Sequence, residues 1–237
     1  MPEIYSISVQ KASLQNTAVI LPVYNTGHHL KALLPELLTY FPARQIIAVN
    51  DGSSDDSTAI CNHFGVNLID FDHNQGKGAA LLAGMHKALE TGSLFALTID
   101  SDEQHPPAHI HDFIKKQNDT LAGVVLGKRD FNPRFMPLLR VFTNKLTSLI
   151  VSLTARQSIP DSQSGYRLYY LKPLENMTFK SKRYQFESEI LLKLSKAGIK
   201  FTNIPIATVY GNETSHISPL RDIGNFIRLI ITHWLKA

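Results

Sequence analysis

The chain has 237 residues, 43% of them hydrophobic and 19% charged, with 13 glycines and one cysteine. These proportions exclude a disordered chain, a collagen-like repeat and a disulfide-built scaffold, and at this length a domain buries roughly 70% of the surface its unfolded chain exposes. A single domain over residues 1–237 is therefore expected, and the net charge of +4 is too small a surplus to call for a nucleic-acid partner.

Met1 to Lys11 lacks the basic start and apolar run of a signal peptide. No stretch reaches the roughly 18 uninterrupted apolar residues of a membrane span, so the expected location is the cytoplasm. The lone Cys61, between Ile60 and Asn62, reads as a small buried hydrophobe.

In chain order, short apolar runs at Ala18–Pro22, Gln45–Asn50, Asn67–Phe71, Leu94–Asp100 and Ala122–Gly127 each end in polar or turn residues, as strands buried on both faces do. Between them Leu30, Leu33, Leu34, Leu37 and Leu38 share one helical face, and Ala80, Leu81, Gly84, Ala88 and Leu89 another. Alternation of strand and helix predicts an α/β fold with a mostly parallel central sheet flanked by helices.

Two further stripes have helical spacing. Phe135, Leu138, Leu139, Phe142, Leu146, Leu149, Ile150 and Leu153 are accompanied by Arg134, Arg140 and Lys145. Leu220, Ile223, Ile227, Ile230, Ile231 and Trp234 lie in an amphipathic helix expected at about 217–235, with Arg221, Arg228 and Lys236 beside them. Packing on the core is the plainer reading of both; lying on an anionic membrane is the alternative.

Ligands of open α/β sheets sit outside the carboxyl ends of the strands, which makes the residues after each run the ones to inspect. They are Pro22-Val23-Tyr24-Asn25, Asn50-Asp51-Gly52-Ser53-Ser54-Asp55, Asn74-Gln75-Gly76-Lys77-Gly78 and Asp100-Ser101-Asp102-Glu103-Gln104-His105. Asp100, Asp102 and Gln104 alternate along an extended segment and can converge on one hard cation, Mg²⁺ or Mn²⁺, bridging a diphosphate. The second segment reads both as an Asx turn with Ser54 or Asp55 capping a helix and as a place where Asp51 accepts hydrogen bonds from a nucleotide base or ribose. The glycine loop lacks the dinucleotide-binding fingerprint, yet Lys77 at a helix start favours an anion.

These four motifs in this order resemble family 2 glycosyltransferases of GT-A fold, over about Ala18 to Tyr210. The branch they most resemble is that of dolichyl-phosphate mannose synthases and polyprenyl-phosphate glycosyltransferases. The resemblance implies that Pro22, Tyr24, Asn25, Asp51, Lys77, Asp100 and Ser101 bind a UDP- or GDP-linked sugar, and that Asp100, Asp102 and Gln104 hold the metal. His216 is a further candidate ligand, against the alternative of a solvated loop histidine. Gly127-Lys128-Arg129 and Asp161-Ser162-Gln163-Ser164-Gly165-Tyr166-Arg167 resemble two further family segments, making Arg129 and Arg167 candidates to clamp an acceptor phosphate. Phe186-Glu187-Ser188-Glu189 fits a pattern near the acceptor.

The chain departs from the family where Thr26 stands in place of a frequent Glu and where Tyr210 to His216 replaces a G-x-S-K segment or membrane helices. The implied activity is an inverting, metal-dependent transfer of a hexose to a polyprenyl or dolichyl phosphate or another membrane-associated acceptor, performed peripherally on the inner face of the membrane. A hydroxyl acceptor would require Asp161, Glu187 or Glu189 as base. The competing readings are a nucleotidyltransferase, which usually carries a basic glycine-rich loop after its first strand, and a non-catalytic nucleotide-sugar-binding module, which would be expected to lose its acidic ligands.

Overall fold

The computed structural model of the chain describes residues 8–102, 104–130, 138–207, 226–227 and 229–231, the backbone alone for 138–140. Residues Thr17–Val23 (β1), Ile46–Asn50 (β2), Asn67–Asp70 (β3), Phe95–Thr98 (β4), Val124–Arg129 (β5), Arg167–Tyr170 (β6) and Phe201–Ile206 (β7) form one seven-stranded sheet in the order β3-β2-β1-β4-β6-β5-β7. Strands β1 to β4 pair in parallel, as do β5 and β7, while β6 runs antiparallel between β4 and β5. The five strands expected from sequence are present to within a few residues, and β6 and β7 are additions.

The pleat of β1 divides the core. Val19, Leu21 and Val23 point to one face, where helices Gly27–Leu38 (α1), Ser57–His63 (α2) and Ile110–Thr120 (α4) deliver Leu30, Leu33, Leu34, Leu37, Cys61 and Phe113. Ala18 and Ile20 point to the other, where Lys77–Glu90 (α3), Leu138–Ala155 (α5) and Gln185–Lys196 (α6) deliver Ala80, Met85, Val151, Phe186 and Ile190. Cys61 is free and fully buried, and burial pushes its thiol up to about 11, leaving it unreactive at neutral pH.

The first amphipathic stripe departs from the plainer expectation, and the described part of the second follows it in part. On α5 the buried positions are Val141, Ser148, Val151 and Ala155, while Phe142, Leu146, Leu149 and Leu153 are 44–67% exposed. These four stripe positions thus face outward and Ile150 is half-buried, while the smaller residues on the opposite side pack toward α6; Phe135 and the side chains of Leu138 and Leu139 lie outside what the structure describes. In the C-terminal stretch Phe226, Leu229 and Ile230 pack against the core, whereas Ile227 and Ile231 are exposed. Leu220, Arg221, Ile223, Arg228, Trp234 and Lys236 lie outside the described residues.

Candidate active site

Strand order places β1 between β2 and β4, and register aligns Val23 with Asn50 and Ile20 with Thr98. The segments leaving these strands therefore share one edge. Because β6 is antiparallel, its amino end meets the same edge; Thr98 pairs with Arg167, and Thr98 Oγ1 donates to the Gly165 carbonyl at 2.7 Å.

On the β2 side, both oxygens of Asp51 accept backbone amides, from Gln75 at 2.6 Å and Gly76 at 2.9 Å. The carboxylate thus ties β2 to the glycine loop. Asn25 adopts φ +53° and accepts the Ser54 amide on its Oδ1 at 2.8 Å, and Tyr24 beside it is 44% exposed. Helix α2 starts at Ser57, later than a Ser54 cap would give, and Asp55 serves two helix starts: Oδ1 accepts the Ser57 amide and Oδ2 the Gly27 amide of α1.

On the β4 side, Asp100 Oδ1 lies 2.7 Å from Lys77 Nζ, which also reaches Glu187 Oε1 at 3.3 Å. Burial alone would raise the Asp100 carboxyl, but the adjacent Lys77 ammonium outweighs it and holds the pKa below the usual range. Burial likewise disfavours the Lys77 charge, and the pull of Asp100 and Glu187 overcomes it, so that the ammonium is retained. Asp102 Oδ1 accepts the Gln104 amide at 3.1 Å. A Cβ built on Gly165 would stand 2.4 and 2.6 Å from the Asp100 oxygens, so only glycine leaves this carboxylate its place.

On the β5 side, Arg129 Nε and Nη2 donate to Asp161 Oδ2 and Oδ1 at 2.7 and 3.0 Å in a bidentate pair. Asp161, fully buried, also accepts the Gln163 and Ser164 amides on Oδ1.

The structure moves several sequence candidates from the open face into the frame. Arg167 is 1% exposed: Nε donates to the Ser164 carbonyl, Nη2 to the Ser162 carbonyl, and Nη1 to Tyr169 Oη and the Glu187 carbonyl. It holds the loop of residues 162–164 against β6 and α6 instead of presenting a fork to an acceptor. Asp161 is committed to the Arg129 guanidinium and three amides, those of Arg129, Gln163 and Ser164, which leaves no lone pair placed for a proton from substrate. Glu189 accepts the Lys180 and Ser181 amides and pairs with Lys193 at 2.8 Å, and these donors keep its carboxyl ionised against the opposing effect of burial. Ser101 Oγ donates to the Pro22 carbonyl at 2.8 Å and meets Thr26 Oγ1 at 2.9 Å, locking the β1 and β4 loops together. His216 lies outside the described residues.

Two neighbours escaped the sequence reading of site roles. His105 Nδ1 and Tyr166 Oη are buried polar atoms without a hydrogen-bond partner among the described residues, and their rings stack at 5.8 Å. Burial above all, helped by Arg129 and Lys77 and opposed by Asp100 and Asp161, lowers the imidazole to about 4, so His105 is neutral at physiological pH. The motif contained His105, but nothing local to it signals burial beside Tyr166.

A family model described as glycosyl transferase family 2 matches residues 18–178. The UDP-N-acetylglucosamine–dolichyl-phosphate N-acetylglucosaminyltransferase of Methanococcus voltae is 30% identical, over 81% of this chain and 85% of that protein. The polyprenol monophosphomannose synthase of Mycolicibacterium smegmatis is 26% identical, over 81% and 77%. Glucosyl-3-phosphoglycerate synthase from Mycobacterium tuberculosis, crystallised with Mn²⁺, UDP and glucosyl-3-phosphoglycerate, superposes with a TM-score of 0.67 at 18% identity over 93% of this chain and 79% of that one. At that identity the likeness establishes the fold, which is GT-A.

Proposed function

Because this chain belongs to glycosyl transferase family 2, we propose that it is an inverting enzyme moving a hexose from a UDP- or GDP-linked donor to a polyprenyl or dolichyl phosphate. Membership of the family sets aside the nucleotidyltransferase and the non-catalytic module. The observation that carries the donor reading is the Asp100–Lys77 pair, a carboxylate and an ammonium 2.7 Å apart with about a fifth of each side chain exposed. One suits a cation and the other a phosphate oxygen, the two charges of a metal-bound diphosphate.

The donor set fits a hard divalent ion: Asp100, Asp102 and Gln104 offer oxygens, and the missing Cβ of Gly165 leaves the Asp100 carboxylate its space. When bound there, Mg²⁺ or Mn²⁺ would neutralise charge on the departing diphosphate. Asp51, Tyr24 and Asn25 line the nucleoside side of the edge, and Arg129, oriented by Asp161, is the candidate for the acceptor phosphate.

The engaged carboxylates favour a phosphate acceptor. Asp161 and Glu189 each hold several donors, and Glu187 shares Lys77. An anionic phosphate oxygen attacks the anomeric carbon without surrendering a proton, so it needs no base. The test supplies radiolabelled UDP- and GDP-hexoses with Mn²⁺ and offers polyprenyl phosphate or the corresponding polyprenol. Labelled lipid is expected from the phosphate alone; product from the alcohol, or none from either, would refute the reading.

A lipid acceptor keeps its phosphate at the membrane surface, and the described residues contain no helix long and apolar enough to cross a membrane. Phe142, Leu146, Leu149 and Leu153 of α5 give the protein an apolar face for peripheral contact on the inner side of the membrane. The opposite face of α5 holds the loop of residues 162–164, with Ser148 Oγ accepting the Ser162 amide at 2.9 Å. Exposed Phe142 and Leu149 replaced by Ser are expected to weaken sedimentation with anionic phospholipid vesicles on the order of 30-fold, the equivalent of about 2 kcal/mol of apolar burial. Circular dichroism should be unchanged, and unaltered sedimentation would remove α5 from the membrane contact.

A further inference from the structure

Lys77 opens α3, and its backbone is fixed from both sides. Gly76 before it has φ +103°, and a Cβ on Gly76 or Gly78 would meet the Lys182 carbonyl or Phe186 Cβ at 2.5 Å. The four-methylene side chain is the part that can move. Its ammonium stands between two carboxylates, Asp100 at 2.7 Å and Glu187 at 3.3 Å, whose side chains are 22% and 8% exposed. Among the described residues no group of three acidic, histidine or cysteine side chains converges as a ready metal site. The reason is visible locally, since Asp100 turns to Lys77 and Asp102 accepts the amide of its own turn.

We propose that Lys77 is the resident counter-cation of this acidic site, so that a bare divalent metal competes with it for Asp100 and is taken up together with a nucleotide diphosphate whose phosphate oxygens receive the ammonium. This rests on the donor reading above. A divalent ion arriving alone must displace an ammonium already paired in a poorly solvated cleft, or bind beside it against charge repulsion. A diphosphate changes both conditions, because it brings oxygens for the metal and a new anionic partner for Lys77. Metal and nucleotide then assist each other's binding to the same degree, as linkage requires.

The test measures Mn²⁺ binding by electron paramagnetic resonance on the full chain, without nucleotide and with saturating UDP or GDP, for wild type, Lys77→Met and Lys77→Arg. Without nucleotide, Lys77→Met is expected to bind Mn²⁺ about tenfold more tightly, since the half-buried Asp100 and the buried Glu187 have lost their counter-charge. With nucleotide it is expected to bind about tenfold more weakly than wild type, since the diphosphate has lost a charged donor. Lys77→Arg keeps the charge and should follow wild type without nucleotide. Loss of Mn²⁺ affinity in Lys77→Met under both conditions would mark a merely structural lysine and overturn the proposal. Wild-type protein binding bare Mn²⁺ as tightly as Mn²⁺ with nucleotide would overturn it without any variant. If instead neither UDP nor GDP binds wild type, it is the donor reading that fails.

Discussion

Replacing Asp161 by alanine is expected to lower the unfolding free energy by about 3–5 kcal/mol, the cost of leaving one member of a buried ion pair without its partner. Asp161 is fully buried and Arg129 is 8% exposed. The carboxylate receives both prongs of the guanidinium together with the Arg129, Gln163 and Ser164 amides. For a chain of this size the loss corresponds to a fall in Tm on the order of 10 °C. Replacing the pair together, Asp161→Leu with Arg129→Met, should recover much of that stability, because a well-packed apolar pair avoids the desolvation of two charges. Equilibrium denaturation in urea measures all three proteins. A loss under about 1 kcal/mol in Asp161→Ala would place the pair in solvent, where such bridges contribute little. The double variant also separates structure from function: restored stability with no transfer to polyprenyl phosphate would identify Arg129 as an acceptor contact.

The same pair shows where a sequence is informative and where it is not. Strands β1, β2, β4 and β5 are legible because each is a short, largely buried run ended by turn residues, β3 is legible from its turn residues although as an edge strand it is only half-buried, and the chemistry is legible because those ends share one edge. β6 is not: its four residues, Arg167 to Tyr170, begin with an arginine and contain two tyrosines, a weak signal for a central strand. The same strand carries Arg167. In a motif that looked open to phosphate, its position between β4 and β5 puts the guanidinium inside the protein, where carbonyls of Ser162, Ser164 and Glu187 satisfy it. No local pattern reports a partner twenty residues away. The outward face of α5 was hidden for another reason, since helical periodicity locates an apolar stripe without saying which way it points.

The geometry around Asp100 turns a single missing methyl group into the sharpest test of the metal site. Gly165 lies outside the left-handed region, so alanine is compatible with its backbone and the effect of the substitution is steric. The Thr98 hydroxyl holds the Gly165 carbonyl at 2.7 Å, which keeps the loop from retreating, and an added Cβ would meet the Asp100 oxygens at 2.4 and 2.6 Å. The carboxylate must yield, losing its place opposite Lys77 and any shared geometry with Asp102. Gly165→Ala is therefore expected to weaken Mn²⁺-dependent nucleotide binding by about 10- to 100-fold, the range typical when a ligand's supporting contacts are disturbed. Its stability cost should stay near that of overpacking, about 1–3 kcal/mol. Asp102→Ala removes a proposed ligand outright and is expected to abolish the metal dependence while leaving the fold intact. Calorimetric titration of UDP and GDP with and without Mn²⁺ reads both variants. Wild-type affinity and metal dependence in Gly165→Ala would show that Asp100 does not hold the ion. The same result in Asp102→Ala would dismiss the paired aspartates as the metal site, leaving Asp100 beside Lys77 as a purely structural ion pair.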